Sequence, residues 1–482
     1  MRHLHKSKST YAALAVLLLT ILPASSVRGA SLKDEDARTL MYTLSDLSSQ
    51  THEAVQTVLT ANDTRFVAVF LELIRANQIG LVRGVDSKVY IDTLEKLSGK
   101  MFGNDWPAWV EWYGSTSLTS PPGFTGWKGH LLARIDPGFG KFLRDGAPSR
   151  IRVEEIQWGG VGVDGIPALD NPRMIPAAKA TYLEPKEPVF GMSIKGDSRA
   201  YPLRIMDWHE MANDVVGGVP VSLAYCTLCG AAIAYDGRAA NGVTYTFGSS
   251  GFLFRSNKLM YDRQTRTLWN QLTGKPVLGD LVATKVQLRL LPVVLTTWEV
   301  WRQQHPDTVV LDLNTGYDRP YVPGAPYGDY FSAQRTMFPV WQRNSLLPTK
   351  ARIYALHVEG VPKAYPLTAL TQKKVVNDTI GQTPVVLVAT RGTVTVDGTN
   401  RRVGRVTYDA GGEVRAYHRG AELFRPGSTP QTVLDTDGRV WRVTEEALIG
   451  PSGKMARRVN GHLAYWFGWY SFFPHTLVYG KS

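Results

Sequence analysis

Apolar residues in the first quarter of the chain recur at helical spacing. Leu40, Leu44 and Leu47 lie three and four residues apart, which places their side chains on one face of an α-helix. A second run of this kind, residues 66–74, follows Asn-Asp-Thr at 62–64, a sequence typical of a helix N-cap. Residues 31–113 are therefore predicted to form several short antiparallel helices.

The pattern changes to that of β-strands farther along the chain. Residues 114–187 are rich in glycine and proline, which predicts a connector with many turns. Beyond this connector, runs rich in β-branched and aromatic residues alternate with glycine-containing turns. The predicted fold is α+β, with an N-terminal helical region followed by two duplicated, mainly antiparallel β modules. These modules span residues 188–313 and 351–482, and residues 314–350 form the linker between them.

The two predicted β modules are copies of one sequence pattern. Arg-Ala-Tyr-Pro-Leu at 199–203 matches Lys-Ala-Tyr-Pro-Leu at 363–367, and the same offset matches Asn-Asp at 213–214 with Asn-Asp at 377–378. The reactive residues of the first module are not repeated, since His209 falls on Lys373, Cys226 on Thr390 and Cys229 on Thr393. Because the second copy shows what the scaffold tolerates, a functional role is the better interpretation of these three residues.

The N-terminus predicts export. Basic residues precede an uncharged apolar run at 12–22, and small residues follow it up to Ala30. This order is typical of a secretory signal peptide, here residues 1–30. We therefore expect an exported protein, either periplasmic or secreted. The apolar run is shorter than the roughly 20 residues that cross a bilayer, so no integral membrane domain is expected.

The charge of the chain argues against one class of partner. The net charge is +12, and removal of the first 29 residues would lower it to about +8. The basic residues are scattered among acidic ones and form no runs interleaved with aromatic residues. We therefore expect no nucleic-acid partner.

The two cysteines of the chain lie in one predicted turn, residues 226–230 (Cys-Thr-Leu-Cys-Gly), between two predicted strands. This is the form of a metal knuckle, in which two thiolates point to the same side of a tight turn. A tetrahedral site needs further ligands, and His209 is the leading candidate. Weaker candidates in the same stretch are Asp207, Glu210 and Met211. Because sulfur with imidazole suits Zn or Cu, the sequence predicts that Cys226, Cys229 and His209 bind one of these metal ions.

Two other interpretations of the same residues stay open. A Cys-x-x-Cys pair in an exported protein can form a reversible disulfide, with Cys226 as the attacking thiolate and Cys229 as the resolving partner. Alternatively, the duplicated modules bind an unidentified small molecule or protein partner, with no chemistry at the cysteines. The sequence leaves open whether the protein is an enzyme.

A second group of polar residues follows in the first module. Asp262, Arg263 and Trp269 come after a Gly-Ser-rich bend at 248–251 and are the kinds of side chain that position a polar ligand. The second module has Tyr-Asp-Ala at 408–410 where the first has Tyr-Asp-Arg at 261–263, so Arg263 stands out as specific to the first. These three residues are predicted to bind a ligand.

These motifs together resemble a known family. The motifs are the His209-Glu210 pair, the turn at 225–230, the bend at 248–251, Met-Tyr-Asp-Arg at 260–263 and Trp-Gly-Gly-Val at 158–161. They are similar to those of the bacterial exported family filed as domain of unknown function 3179, many members of which have proline where this chain has Thr227. The family has no established activity, so the resemblance implies where the site lies rather than which reaction it performs.

Overall fold

The N-terminal part of the protein is helical, as predicted. The computed structural model describes residues 31–481, and the predicted signal peptide lies outside the described residues. The helices are α1 (Asp34–Asp46), α2 (Thr51–Ala61), α3 (Phe66–Gln78), α4 (Ser87–Ser98), α5 (Trp106–Gly114), α6 (Phe124–Leu132) and α7 (Pro137–Phe142). The carboxylates of Asp86 and Asp105 accept hydrogen bonds from the N–H groups of Lys88 and Ala108, which caps α4 and α5.

The residues predicted as a connector, 114–187, carry regular structure of their own. Helices α6 and α7 extend the helical region, and three short strands follow: β1 (Ile156–Trp158), β2 (Leu169–Asp170) and β3 (Met174–Pro176). Each of these strands joins a different sheet of the first β module. The connector therefore contributes to the core of the module that it precedes.

The first β module consists of three five-stranded sheets among the described residues. Its further elements are β4 (Pro188–Ile194), β5 (Asp197–Pro202), α8 (Leu203–His209), β6 (Met211–Val216), β7 (Val219–Cys226), β8 (Ala231–Asp236), β9 (Phe247–Phe254), β10 (Asn257–Asp262), β11 (Leu268–Asn270), β12 (Lys275–Leu278), β13 (Arg289–Leu291), β14 (Val294–Thr297), α9 (Trp298–Gln304) and β15 (Val309–Leu311). The strand orders are β1-β9-β10-β11-β12, β13-β8-β7-β6-β2 and β14-β4-β5-β15-β3. The pairs β2–β6 and β5–β15 are parallel, whereas the others are antiparallel.

The linker contains a short helix, α10 (Gly328–Ser332), and the second module follows it. Its elements are β16 (Arg352–Val358), β17 (Val361–Pro366), α11 (Leu367–Lys373), β18 (Val375–Ile380), β19 (Thr383–Asn400), β20 (Gly404–His418), β21 (Arg425–Pro426), β22 (Thr432–Leu434), β23 (Val440–Val443), β24 (Ala447–Ile449), β25 (Met455–Val459), β26 (His462–Tyr465), α12 (Trp466–Tyr470) and β27 (Leu477–Val478). The strands form two sheets, ordered β26-β16-β17-β27 and β18-β19-β20-β25-β24-β23-β22-β21.

The strand registers show that the two modules share one architecture. Strand β6 pairs with β7 so that Met211 faces Ala224, and β18 pairs with β19 so that Val375 faces Val388, its counterpart at the sequence offset. The parallel pair β5–β15 likewise corresponds to β17–β27. Equal registers at both ends of the module support the internal duplication predicted from the sequence.

Polar contacts repeated in both modules identify the scaffold. The Tyr201 hydroxyl donates to Asp214 at 2.7 Å, and the Tyr365 hydroxyl donates to Asp378 at 2.8 Å. The indole N–H of Trp301 and that of Trp469 each donate to a threonine hydroxyl at 2.8 Å. Because these contacts occur with and without the cysteines, they serve the fold rather than the chemistry.

The modules differ where the cysteines lie. In the first module β7 and β8 are joined by a tight turn directly after Cys226, which faces Ala231. The corresponding strands β19 and β20 instead continue as a long two-stranded extension, residues 390–413, which we call the ribbon. The ribbon contacts the linker: Asn400 donates hydrogen bonds to Gly324 O and Ala325 O, at 3.3 and 3.1 Å.

The helical region packs against the outer sheet of the first module. Phe252 of β9 and Tyr261 of β10 belong to the same apolar core as helices α1–α7. The ring of Phe139 stacks on Phe252 with 4.3 Å between centroids. Among residues 31–481, none of the helices combines the length and apolar composition needed to cross a membrane.

Candidate functional site

The two cysteines lie in a buried turn that joins two antiparallel strands, as the sequence predicted. Cys226 ends β7 and Ala231 begins β8. Gly230 has a left-handed φ of +59°, which favours glycine, and a Cβ there would lie 2.1 Å from the Arg352 guanidinium, which would have to move. Both cysteines are free thiols, and both are buried.

The environment of Cys229 favours the protonated thiol. Its sulfur lies 3.3 Å from Ser256 O, to which the thiol can donate, and the amide of Asn257 donates to the sulfur at 3.6 Å. That amide is fixed by a second hydrogen bond to Gln271 at 2.8 Å. Burial, together with the neighbouring Cys226 sulfur, raises the pKa of the Cys229 thiol well above its ordinary value.

The environment of Cys226 favours the thiolate. Burial and the charge of Glu210 would raise the pKa of Cys226, but hydrogen bonding with the Cys229 thiol and with the backbone N–H groups of Lys258 and Cys229 lowers it overall. The Cys229 thiol has two acceptors within reach, the Cys226 sulfur and Ser256 O, and its hydrogen can point to either. The pair is therefore asymmetric, with Cys226 the better nucleophile.

Next to Cys226 lies a buried cluster of charged and hydroxyl groups centred on Glu210. The Lys258 ammonium is 3.3 Å from the Glu210 carboxylate and donates to Glu210 O at 3.1 Å. The Thr227 hydroxyl donates to the carboxylate at 2.7 Å, and that of Tyr327 does so at 3.5 Å. Glu210, Lys258 and Cys226 line one narrow cleft of about 50 Å³, which is wide enough for a water molecule.

The position of Glu210 is scaffold, but its side chain is specific to the first module. Glu210 directly follows α8 with a left-handed φ of +56°, and Lys374 directly follows α11 with a φ of +62°. Both residues accept a hydrogen bond from the following β-hairpin, from Tyr225 N at 2.8 Å and from Ala389 N at 2.7 Å. The first module therefore places a carboxylate beside its cysteines at a position that the second module fills with lysine.

His209 is held away from metal coordination by two hydrogen bonds. Its Nδ1 lies 2.8 Å from Pro167 O and its Nε2 lies 2.6 Å from the Tyr321 hydroxyl. Burial lowers the pKa of His209 to about 4, so the ring is neutral. Since Pro167 O can only accept, Nδ1 carries the proton and Nε2 accepts from Tyr321. Neither ring nitrogen has a lone pair left for a metal ion.

The described residues do not complete a metal site around the sulfurs. Between residues 31 and 481, no group of three or more His, Cys, Asp and Glu side chains is arranged to hold a metal ion. The charged residues that line the cleft with Cys226 are the paired Glu210 and Lys258, and the ammonium competes with a cation for the Glu210 carboxylate. The prediction of Zn or Cu bound by Cys226, Cys229 and His209 thus gains no support from these contacts and stays a prediction.

The other predicted ligand residues lie outside the cleft at Cys226. Asp262 accepts hydrogen bonds from Thr265 N at 2.5 Å and from the indole of Trp269 at 2.8 Å, which closes a buried turn. Arg263 is partly exposed and forms an ion pair with Asp170 at 2.8 Å. Neither Asp262 nor Trp269 nor Arg263 lines the cleft.

The structure also corrects the counterpart of Asp262. The sequence matched it with Asp409, but Asp409 lies in the ribbon. The same buried contact occurs instead at Asp435, which accepts from the indole of Trp441 at 3.0 Å. Asp262 and Trp269 are therefore paired like Asp435 and Trp441, which indicates a scaffold role.

A larger cavity of about 510 Å³ adjoins the cleft. Val161, Ile166, Tyr327 and Met337 line both spaces. The cavity walls come from α8, the connector, the linker and the ribbon. The second module thereby supplies part of the surroundings of a site whose cysteines belong to the first.

Comparison with known proteins gives a family but no activity. A family model described as "Protein of unknown function (DUF3179)" matches residues 163–476, which is more than half of the chain. The chain belongs to the DUF3179 family. Searches of curated proteins and of solved structures found no match. The DUF3179 region contains the first β module with its cysteine turn, the linker and the second module up to residue 476, whereas helices α1–α7 precede it.

Within this DUF3179 region, sequence reasoning missed Asn257 and Lys258. Both are buried in β10, the strand that faces the cysteine turn. The sequence contained a signal for both residues, because the polar Asn257 and Lys258 begin a strand that is otherwise apolar up to Asp262. A buried lysine needs a partner, and such a residue is a candidate for a functional site.

Proposed function

We propose that this protein is an exported thiol–disulfide redox protein, with Cys226 as the attacking thiolate and Cys229 as the resolving thiol. The observation that carries the proposal is the asymmetry of the pair. The Cys226 sulfur lines the cleft together with Glu210 and Lys258, while the Cys229 thiol lies outside the cleft and faces Ser256 O in the interior. This arrangement supports reaction at one cysteine and resolution by the other.

The reaction follows from these positions. The Cys226 thiolate attacks one sulfur of a substrate disulfide, which forms a mixed disulfide and releases the other substrate sulfur as a thiolate. The Cys229 sulfur then attacks Cys226, its proton passes to the second substrate sulfur, and that thiol leaves. Two electrons have passed from the dithiol to the substrate, and a Cys226–Cys229 disulfide remains. Exchange in the opposite direction oxidises a substrate dithiol.

Trapping of the mixed disulfide tests this assignment. After incubation with a small aromatic disulfide, Cys229→Ser should retain one covalent adduct on Cys226, because no resolving thiol remains. Cys226→Ser should retain little adduct, because Cys229 does not line the cleft and its surroundings raise the pKa of its thiol. Mass spectrometry of the denatured, alkylated protein identifies the modified residue. Equal labelling of both single variants, or no Cys226–Cys229 disulfide in the unaltered protein after oxidation, would refute the proposal.

The same preparation tests the metal hypothesis. If Zn or Cu binds through the cysteines, elemental analysis of protein purified under anaerobic conditions should give a stoichiometric metal that disappears in the double variant Cys226→Ser, Cys229→Ser. His209→Ala should then lose the metal as well. Stoichiometric metal with this dependence would replace the redox proposal by metal binding.

Export remains part of the proposal, since it sets the redox conditions. Disulfides form and persist in the periplasm and outside the cell. N-terminal sequencing of the mature protein from the periplasm or medium should show cleavage near Ala30. Recovery in the cytoplasm with an intact N-terminus would remove this part of the proposal.

A further inference from the structure

The 510 Å³ cavity beside the cysteine cleft has a basic rim. The side chains of Arg319 and Arg335 from the linker and of Arg401 and Arg402 from the ribbon line it, and all four are exposed. Arg402 is 3.7 Å from Asp329. For the other three, no carboxylate of residues 31–481 lies within ion-pair distance. The rim therefore carries an excess of positive charge that the described protein groups do not neutralise.

The interior of this cavity is aromatic on one side. Trp208 of α8 lies beneath two of the arginines, with the guanidinium carbons of Arg319 and Arg401 at 5.8 and 5.7 Å from its ring. These contacts hold the guanidinium groups over the ring while their N–H groups stay free for a ligand. The indole N–H of Trp208 donates to Pro320 O at 3.1 Å, which fixes the wall on which the arginines lie.

A buried polar group in the same cavity also lacks a partner. Asp207 is 2 % exposed, and neither carboxylate oxygen makes a hydrogen bond among the described residues. Burial and the nearby charge of Glu210 raise the pKa of Asp207 well above its ordinary value, which favours the protonated carboxyl. A protonated carboxyl is a hydrogen-bond donor and adds no negative charge to the cavity.

We propose that this cavity binds a small organic anion that carries carboxylate groups. Guanidinium groups recognise carboxylates by paired hydrogen bonds, Trp208 supplies an apolar face, and Asp207 offers a hydrogen bond to the buried end of the ligand. The volume is that of a small-molecule site. The cavity shares walls with the cleft at Cys226, so we assign the redox substrate as a disulfide that carries carboxylate groups. This assignment of the substrate rests on the proposed function.

Calorimetric titration of the full chain tests the binding separately from the chemistry. The double variant Cys226→Ser, Cys229→Ser is titrated with oxidised glutathione and, in a second arm, with its tetraethyl ester, which has the same disulfide but no carboxylates. We expect binding of the acid and a Kd at least roughly tenfold weaker for the ester. Citrate serves as a carboxylate probe without sulfur and should compete with the acid.

Arginine variants locate the site. Arg335→Gln and Arg401→Gln should each weaken binding of oxidised glutathione by roughly tenfold, since each removes a charge-assisted contact. Arg405→Gln, an exposed ribbon arginine outside the cavity, is the matched control and should bind as the parent does. Thermal unfolding of each variant shows whether it is folded.

The outcomes separate the two proposals. Absence of binding by both acids, or equal binding by the Arg401→Gln and Arg405→Gln variants, would overturn the anion site. If the double variant binds the acid while the unaltered protein exchanges no disulfide, the anion site stands and the redox function fails. If Cys226 exchanges with the ester and the acid equally well, the redox function stands and the anion site is refuted.

Discussion

At the scale of single residues, the two cysteines lie in one tight turn, but their surroundings shift the two thiol pKa values in opposite directions. Cys226 lines the cleft with Glu210 and Lys258, and the N–H groups of Lys258 and Cys229 help to lower its pKa, whereas Cys229 faces a carbonyl. The sequence predicted the cysteine turn and its flanking strands because both are local. It could not predict this asymmetry, since Asn257 and Lys258 of β10 and the preceding Ser256 are distant from the turn along the chain.

The first prediction concerns which thiol ionises. Because the pKa of Cys226 is lowered and that of Cys229 is raised, thiolate absorbance in the ultraviolet should appear in two steps, the first at a lower pH than for an ordinary cysteine and the second at a higher pH. Cys229→Ser should keep this early step, because the serine hydroxyl can still donate to the Cys226 sulfur, and Cys226→Ser should lose it. An early step that survives in Cys226→Ser would contradict the assignment.

The second prediction concerns the buried carboxyl of Asp207. Burial and the charge of Glu210 raise its pKa in the folded protein, so its contribution to stability is present below the unfolded pKa of about 3.9 and is lost as the pH rises through the folded pKa. Asp207→Asn should therefore raise the free energy of unfolding at pH 7 by about 1–3 kcal/mol and make stability less dependent on pH.

Urea unfolding at several pH values measures this effect. Asp318→Asn, an exposed change in the linker, is the control and should leave both stability and its pH dependence close to those of the parent. A loss of stability in Asp207→Asn at pH 7 would mean that the carboxylate is ionised and well solvated in the folded protein.

At the scale of elements, the main difference between the modules is the hairpin that follows the left-handed turn. The first module closes it with the cysteine turn and the second extends it into the ribbon. The sequence predicted the duplication because the outer strands keep their register at both ends. It did not reveal the ribbon, since shorter loops after β20 compensate for the insertion and the two ends of the repeat stay almost equally spaced.

The third prediction tests the ribbon as a support for the linker. Asn400 is buried, donates to Gly324 O and Ala325 O, and accepts from Arg402 N at 2.9 Å. Asn400→Ala leaves these groups without a partner, which should lower the free energy of local opening of the linker by about 1–3 kcal/mol. Hydrogen exchange of the amides at 324–331 measures it.

A neighbouring change on the ribbon supplies the control for that experiment. Thr399 is exposed, and its backbone N–H bond to Pro323 O does not depend on the side chain. Thr399→Ala should leave exchange of the linker amides unchanged. If the Asn400→Ala protein keeps the parental exchange rates as well, the ribbon does not hold the linker in place.

At the scale of the whole molecule, the two modules share one core rather than lying side by side. A single apolar cluster contains Tyr225 and Ile233 from the first module and Tyr354 and Trp466 from the second. A backbone hydrogen bond also joins the two modules, since Tyr465 N of the second donates to Cys229 O of the first at 2.7 Å. The sequence predicted two modules in series, because a repeat does not show how its copies pack against each other.

This shared core leads to the last prediction, which is about cooperativity. Trp466 of the second module is 1 % exposed in the common cluster, so Trp466→Ala should cost about 3–5 kcal/mol. Hydrogen exchange should show the same loss of protection at residues 221–226 of the first module as at residues 385–388 of the second, because both open in one unit.

Trp441 lies in a separate cluster under the outer strands of the second module, so Trp441→Ala should reduce protection there and spare residues 221–226. A Trp466→Ala protein in which the cysteine strand keeps its parental protection would show that the first module folds without the second, and the second module would then not be needed to keep Cys229 buried.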